Sequence, residues 1–312
     1  MDQPSILVAV LSATVIAGTP LLYACLGELL TEKVGILNLG VEGMMMVGAV
    51  TGFLVTIKTA NPWLGIVIAM LAGGCMGLLH AVMSINLRVN QVVSGLALTI
   101  LGTGLSAFLG KSVVGIPSPV TFEKITVPVL GKIPFIGPIV FQNDILVYLS
   151  IVLVVFLWFL IYKTQHGLKL RSVGENPASA DAMGVNVIAM RYLYVAIGGM
   201  LAGLAGAYLS IVYTSTWLEN MTAGRGWIAV ALVIFAMWNP VRALLGAYIF
   251  GGVEASVFRL QAMGVTNISP FFLKMLPYVL TIVVLVWASR ENNRKRLGAP
   301  SSLGLAYERE ER

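Results

Sequence analysis

Residues 145–162 read ILVYLSIVLVVFLWFLIY, eighteen consecutive residues without a charged side chain. A membrane-spanning helix needs about 20 mostly apolar residues, so this run predicts a transmembrane helix. Similar runs lie near residues 5–27, 34–57, 63–86, 91–110, 191–213, 243–258 and 270–289, and a shorter one covers 227–238. The sequence therefore predicts an all-α, polytopic membrane bundle of about eight to ten transmembrane helices.

The overall composition supports the same class of protein. Hydrophobic residues make up 58% of the chain and charged residues 11%, against roughly 25% charged residues in soluble domains. The net charge of +6 does not indicate nucleic-acid binding, because the basic residues lie mostly where a membrane protein needs cytoplasmic anchors. Cys25 and Cys75 fall inside apolar runs without metal-ligand spacing, so we expect neither a disulfide nor a metal site.

Residues 163–191, here called the coupling segment, interrupt the apolar pattern. They carry four basic residues, which favours a cytoplasmic position: Lys163, Lys169, Arg171 and Arg191. Asn176 is a suitable N-cap, Pro177 fits the first helical turn, and Gly184 can end the helix. The pattern predicts a short helix outside the bilayer, and it serves either as a docking surface or as an ordinary solvated connection.

Alternating the spans from that segment places the N-terminus outside and the C-terminus in the cytoplasm. Thirteen of the 20 Lys and Arg residues then lie inside and seven outside, in agreement with the positive-inside rule. Residues 111–144 become an external excursion. We expect one transmembrane domain over residues 1–290 and a mostly disordered tail over 291–312.

Two features predict how the bundle is built. The run at 227–238 is too short to cross a hydrocarbon core about 30 Å thick, so we expect a broken or re-entrant helix there. Residues 73–81 and 198–207 are both rich in glycine and alanine, and they cross in opposite directions in the predicted topology. They indicate an inverted internal repeat around a path at the membrane midplane.

Several polar residues are candidates for lining that path. Asn38 and Glu42 are four residues apart and would share a helix face. Glu42 either faces the path or makes a structural bond between two helices. Because Glu42 is the one charged residue expected along the path, the path suits neutral, hydrogen-bonding solutes.

Four further residues are candidates for lining the path, and each also has a simpler structural explanation. Asn90, Gln91 and Ser94 open the fourth run and either contact the solute or cap the helix. Trp227 either lines the outer mouth or anchors the chain at the interface. His80 is expected to be a buried histidine with its hydrogen bonds satisfied.

Residues 104–112 read GLSAFLGKS and superficially resemble a phosphate-binding loop. That motif needs four residues between its glycines and a strand before it, whereas this stretch has five and ends an apolar helix. We therefore expect any ATPase to be a separate subunit.

Three stretches resemble one known family: residues 32–45 (EKVGILNLGVEGMM), 167–185 (GLKLRSVGENPASADAMGV), and 224–232 (GRGWIAVAL) with Trp238-Asn239-Pro240. They are similar to permease subunits of bacterial ABC importers for branched-chain amino acids, simple sugars and nucleosides, and most of all to the nucleoside-type branch. The resemblance implies a multi-pass subunit of the bacterial cytoplasmic membrane without catalytic residues or a cofactor of its own. It implies a second permease subunit, identical or different, a cytoplasmic ABC ATPase that uses ATP and Mg²⁺, and an external solute-binding lipoprotein.

The resemblance also implies which residues couple the permease to its ATPase. The matching positions of the coupling segment are Gly167, Lys169, Arg171, Gly174, Glu175, Asn176, Pro177, Ala180 and Gly184.

Other functions make different demands on the sequence. A permease for ribose-like sugars is the nearest alternative. An ion-coupled carrier would need intramembrane carboxylates, of which this interpretation finds only Glu42. An intramembrane serine protease using Ser94 and His80 would need a glycine two residues before the serine, where this chain has Val92.

Overall fold

The structure is a computed structural model that describes residues 6–262, 270–288 and 298–308. The predicted outer N-terminus at 1–4 and tail residues 291–297 and 309–312 lie outside the described residues. Twelve α-helices make up most of the described chain: α1 (Ile6–Lys33), α2 (Val41–Thr59), α3 (Pro62–Ala81), α4 (Gln91–Gly110), α5 (Ile136–Val140), α6 (Ile145–Lys163), α7 (Gln165–Glu175), α8 (Pro177–Ala182), α9 (Val187–Ala207), α10 (Arg225–Phe235), α11 (Pro240–Ala262) and α12 (Pro270–Ala288).

The external excursion contains a small two-stranded sheet. Strands β1 (Lys124–Thr126) and β2 (Gln142–Asp144) pair antiparallel, with Ile125 opposite Asn143. Asp144 ends β2 and caps α6, because its Oδ1 accepts hydrogen bonds from the N–H groups of Leu146 and Val147.

Six stretches of the described chain are long and apolar enough to cross a membrane: Leu7–Lys33, Val41–Thr59, Pro62–Asn86, Gln91–Val113, Ile145–Lys163 and Val187–Tyr213. Helices α11 and α12 have 23 and 19 residues, which is also enough for a crossing. The predicted polytopic helical fold is confirmed.

The predicted broken crossing is confirmed at α10. This helix has 11 residues and is therefore about 16 Å long, roughly half the hydrocarbon core. Residues 214–224, here called the connecting segment, precede it without regular helix and end at Gly224, whose φ is +81°. Glycine tolerates this left-handed conformation, so the chain can turn into α10 there.

Helices α3 and α9 pack antiparallel through small residues. A Cβ added to Gly73 would collide with the carbonyl oxygen of Gly199, and a Cβ added to Gly199 would collide with that of Gly73. Farther along α3, Gly77 lies against Val195, an earlier residue of α9. Close backbone approach of this kind is how small residues promote helix association in membranes.

The same two helices support the inverted repeat. Each continues into a π-helical turn, Val82–Asn86 after α3 and Tyr208–Tyr213 after α9. When the sequence is aligned with itself at an offset of 125 residues, Gly73 is paired with Gly198. The first π-helical turn is then paired with residues 207–211, which nearly coincide with the second turn. The antiparallel packing agrees with two copies of opposite orientation.

Residues predicted to lie on the same side of the membrane do lie at the same end of the bundle. Arg88 forms an ion pair with Glu308 at 2.5 Å, and the Arg191 guanidinium lies 5.9 Å from the Tyr307 ring. At the opposite end, the N–H of Ser118 in the external excursion donates to the carbonyl of Ser215 at 2.8 Å.

The prediction of a disordered tail is wrong for residues 298–308, here called the C-terminal segment. Ser302 is buried, and both its N–H and its hydroxyl donate to the carbonyl oxygen of Gly174, at 2.9 and 2.6 Å. Gly304 donates to Gly35 at 3.1 Å. The polar composition suggested disorder, but polar groups that satisfy backbone carbonyls are stable in a packed position.

Candidate coupling surface and translocation path

The coupling segment folds as two short helices, α7 and α8. Thr164 caps α7, since its hydroxyl oxygen accepts the N–H of Gly167 at 3.0 Å. The Asn176 side chain accepts the N–H of Ser179 at 2.9 Å, Pro177 is the first residue of α8, and Gly184 follows the helix with φ of +81°. The predicted caps are confirmed, because each lies where the sequence chemistry requires it.

Helix α7 is fixed between the end of α1 and the end of α6. It buries Gly167, Leu170, Val173 and Gly174. A side chain on Gly167 would collide with the Leu160 carbonyl of α6, and one on Gly174 with the Lys33 carbonyl of α1. A displacement of α7 would therefore also displace the adjacent ends of α1 and α6.

The remaining coupling residues divide between anchoring and exposure. Ala180 is buried, Pro177 is half-buried, and the Arg171 guanidinium lies 5.7 Å from the Tyr162 ring. Lys169 and Glu175 are exposed, and Met183 at the end of α8 is 85% exposed. The outer face of α8 is thus accessible to a partner, while its inner face is held by the bundle.

The C-terminal segment joins the coupling helices to the start of the second span. Besides Gly174, it reaches Glu175, whose carboxylate accepts the Ser301 hydroxyl at 2.7 Å. Through Gly304 it also contacts Gly35, just after α1. One short stretch therefore connects α7 to the turn that leads into α2.

Glu42 makes the structural bond that the sequence offered as one alternative. Its carboxylate accepts three hydrogen bonds, from the Thr222 hydroxyl at 2.6 Å and from the N–H groups of Gly224 at 2.8 Å and Gly226 at 2.6 Å. These groups form the N-terminus of α10, where the helix dipole favours a negative charge. Glu42 thus fixes the half-helix against α2.

Asn38 does not share a helix face with Glu42, so that prediction is wrong. Helix α2 begins only at Val41, because residues 35–40 form a turn in which the Asn38 side chain accepts the N–H of Gly40 at 2.9 Å. The backbone N–H of Asn38 donates to Glu28 at 2.9 Å. The asparagine therefore stabilises the turn between α1 and α2.

Asn90 and Gln91 lie at the start of α4. The Asn90 side chain accepts the N–H groups of Val92 and Val93 at 3.0 and 3.2 Å, which is the capping alternative. Gln91 is buried, and its side-chain oxygen accepts the N–H of Leu37 at 2.7 Å. Both hold the N-terminal end of α4 in place.

Ser94 and His80 meet in the interior. The Ser94 hydroxyl lies 3.0 Å from His80 Nδ1, and His80 Nε2 lies 3.0 Å from the Leu37 carbonyl and 3.3 Å from the Ser84 hydroxyl. Both Ser94 and His80 are fully buried. The histidine therefore connects α3, α4 and the turn before α2, as expected for a satisfied buried histidine.

Trp227, the last predicted path residue, lies half-buried in the first turn of α10. Its neighbour Arg225 forms an ion pair with Glu254 of α11, and the two side chains are 14% and 15% exposed. The first turn of the half-helix therefore has fixed neighbours on both α2 and α11.

Sequence reasoning missed two buried carboxylates on α1. Glu28 and Glu32 are 1% exposed, and Glu32 accepts the indole N–H of Trp238 at 2.6 Å. Their spacing of four residues in an apolar run was a readable signal, because buried carboxylates in a membrane protein need partners. Through Trp238, α1 holds the C-terminal end of α10.

A further buried carboxylate, Asp144, lies at the N-terminal end of α6. Asp144 Oδ2 accepts the Tyr208 hydroxyl at 3.0 Å, and Tyr23 donates to the Leu146 carbonyl at 2.6 Å. Burial raises the pKa of the Asp144 carboxyl above its usual value, while its hydrogen bonds oppose that change. The network joins α1, α6 and α9.

Within the described residues, six long apolar stretches, the half-length helix α10 and the short polar helices α7 and α8 are the features of a multi-pass membrane protein. Residues 10–285 match the family described as the permease component of the branched-chain amino acid transport system. The chain belongs to this family.

Curated relatives match over nearly the whole chain. A putative glucose ABC transporter permease protein of Haloferax volcanii is 44% identical over 321 residues, covering 96% of this chain and 97% of that protein. The guanosine ABC transporter permease protein NupQ of Bacillus subtilis is 35% identical, covering 96% and 98%. The nucleoside ABC transporter permease protein NupC of Lactococcus lactis is 36% identical, covering 91% and 93%. No solved structure matches the chain significantly.

Proposed function

We propose that this chain is the membrane-spanning permease subunit of an ATP-driven importer and forms the translocation path for nucleosides. The observation that carries the proposal is end-to-end similarity to two nucleoside permeases at 35% and 36% identity. Family membership supports an importer worked by separate subunits. They comprise an ABC ATPase that uses ATP and Mg²⁺, a solute-binding lipoprotein outside, and a second permease subunit. The chain lies in the cytoplasmic membrane with its C-terminus in the cytoplasm.

A simple sugar is the second candidate solute. It is favoured by the 44% identity to a putative glucose permease. Both solute classes are neutral and carry hydroxyl groups, which suits a bundle whose buried carboxylates Glu32 and Glu42 already have protein partners.

Coupling to the ATPase runs through the exposed side of α7 and α8. Because α7 touches the Leu160 and Lys33 carbonyls, a partner that moves α8 moves the ends of α1 and α6 as well. Met183, at 85% exposure, is the most exposed large hydrophobic side chain of the coupling segment.

The test compares two charge insertions in the full transporter, expressed with its partner subunits. Met183→Asp is expected to abolish ATP-dependent uptake while the protein remains in the membrane. Val129→Asp, in the external excursion and 78% exposed, is the matched control and should transport normally. Unchanged uptake by Met183→Asp would contradict coupling at this surface, and uptake from an ion gradient without ATP would favour the secondary carrier.

The solute is tested by uptake of labelled uridine and guanosine in competition with ribose and glucose. Competition only by nucleosides supports the first candidate. Competition only by sugars overturns it in favour of the second.

A further inference from the structure

The connecting segment descends along α2 between two fixed points. At its upper point Trp217 is completely buried against Ala49, Val50 and Phe53 of α2. At its lower point the buried Thr222 donates its hydroxyl to Glu42 at 2.6 Å. The chain between Trp217 and Thr222 therefore runs beside the first half of α2.

This position lies at membrane depth. Helix α2 is one of the six apolar spans, and the eight residues from Glu42 to Val50 correspond to about 12 Å along its axis. Residues 218–221 fall between these two levels and are not helical. Backbone without regular structure is tolerated at this depth only when it is buried in protein or lines a water-filled cavity.

Two polar side chains of this stretch are exposed. Glu219 and Asn220 are solvent-accessible, while Trp217 and Thr222 on either side are fully buried. Neither exposed side chain has a hydrogen-bond or ion-pair partner within residues 6–262, 270–288 and 298–308. A charged carboxylate at membrane depth faces water or the bundle interior, because contact with lipid is too costly. Glu219 is therefore not expected to face lipid.

The turn that carries these side chains is held on both sides. Beyond Thr222, the Tyr278 hydroxyl of α12 donates to the Ala223 carbonyl, and Gly224 donates to Glu42 at 2.8 Å. Binding groups on a fixed backbone lose less entropy when they meet a ligand. The segment thus has the rigidity that a selective polar site needs.

We propose that Glu219 and Asn220 line the translocation path and bind the hydroxyl groups of the solute. The Glu219 carboxylate accepts hydrogen bonds from two neighbouring hydroxyls, as in the 2′,3′-diol of a ribonucleoside, and the Asn220 amide both donates and accepts. This assignment deepens the proposed function and rests on it, because it names the part of the solute that this chain recognises.

The first experiment uses the complete transporter in membrane vesicles and measures initial uptake rates against solute concentration. Glu219→Gln is expected to raise the KM for uridine by about tenfold or more, since a charge-assisted hydrogen bond is lost. For 2′-deoxyuridine, which lacks one of the two hydroxyls, the rise should be much smaller. Glu123→Gln, an exposed carboxylate of the external excursion, is the control and should behave as the unmodified protein.

The second experiment tests the aqueous position without relying on transport. A Glu219→Cys variant is made in a Cys75→Ser background, because Cys75 is exposed and Cys25 is buried. A membrane-impermeant maleimide is expected to label the new thiol, and saturating uridine should slow the reaction.

The outcomes separate this proposal from the proposed function. Unlabelled Glu219→Cys protein, or an unchanged uridine KM in Glu219→Gln, overturns the site even if nucleosides are transported. If the unmodified transporter moves a sugar and no nucleoside, the solute of the proposed function is wrong. The same KM comparison with that sugar then decides the role of Glu219.

Discussion

The Glu42 carboxylate accepts the backbone N–H of Gly226 at 2.6 Å, across the contact between α2 and the start of α10. Since it also accepts the N–H of Gly224 and the hydroxyl of Thr222, one side chain fixes the level at which the half-helix begins. Everything above it on the connecting segment, including Glu219, is positioned by this contact. The Glu42 contacts thus fix the position of the non-helical backbone that precedes α10.

Removing that charge should destabilise the protein. Hydrogen bonds to a charged group contribute about 1.5–3 kcal/mol each, and an amide in Glu42→Gln would present its own N–H groups to the donors of α10. Thermal unfolding in detergent should show a large loss for Glu42→Gln and a smaller one for Thr222→Val, which removes a single donor. If the unmodified protein, Glu42→Gln and Thr222→Val all unfold at the same temperature, the Glu42 contact does not contribute to stability.

The close contact of α3 and α9 predicts that a glycine-to-alanine change destabilises the protein inside this contact but not outside it. Gly73→Ala places a methyl group against the rigid backbone of Gly199, so we expect a loss of roughly 1–3 kcal/mol, as for overpacked cores. Gly104→Ala on α4 meets nothing within 4 Å, so it should be neutral or slightly stabilising. The measurement is the thermal unfolding midpoint and the membrane expression of each variant. A similar loss of stability in Gly73→Ala and Gly104→Ala would contradict the close packing of α3 and α9.

Deleting residues 298–312 should reduce ATP-dependent uptake while the spans remain inserted. The deletion leaves the carbonyl oxygens of Gly174 and Gly35 without the N–H groups of Ser302 and Gly304, so α7 is less firmly joined to the turn before α2. The measurement is uptake per molecule of transporter, with ATP hydrolysis recorded in parallel. Leu305→Ala, at a side chain 60% exposed, is the control and should be silent.

Ser94→Ala should retain transport. It removes one buried hydrogen bond of His80, worth about 0.5–1.5 kcal/mol. A serine-reactive fluorophosphonate should label neither the unmodified protein nor the variant, because both side chains are buried and the other ring nitrogen already contacts Leu37. Labelling at Ser94 would revive the protease alternative.

Much of the local structure follows from the sequence because its causes are local. The apolar run at 145–162 became α6, and the caps at Asn176, Pro177 and Gly184 formed α8 as their side-chain chemistry requires. The short run at 227–238 could not span the membrane at 1.5 Å per residue, whatever its surroundings. The glycines of α3 and α9, which suggested an inverted repeat in the sequence, lie in the contact between these two helices, where small side chains allow close approach.

The partners of the polar residues were decided by the tertiary structure. Glu42 could be placed in the membrane from sequence, but its three donors lie 180 to 184 residues away on a segment whose depth no local pattern gives. Asn38 was assigned to a helix because its neighbours are apolar, whereas the contact with Glu28 stabilises a turn there. The tail was assigned to disorder from its composition, whereas residues 298–308 are held by distant groups that include the carbonyl oxygens of Gly35 and Gly174.

The sequence by itself determined that this chain is a polytopic helical membrane protein with one polar helix pair between two of its spans, because hydropathy, charge and capping act over a few residues. The tertiary structure alone decided which contacts hold the short helix α10 in place and which partners the buried carboxylates find. It also leaves the Glu219 side chain exposed, beside the buried Trp217 and Thr222. These depend on contacts between distant segments, and the free energy of a buried charge is set by what surrounds it in space.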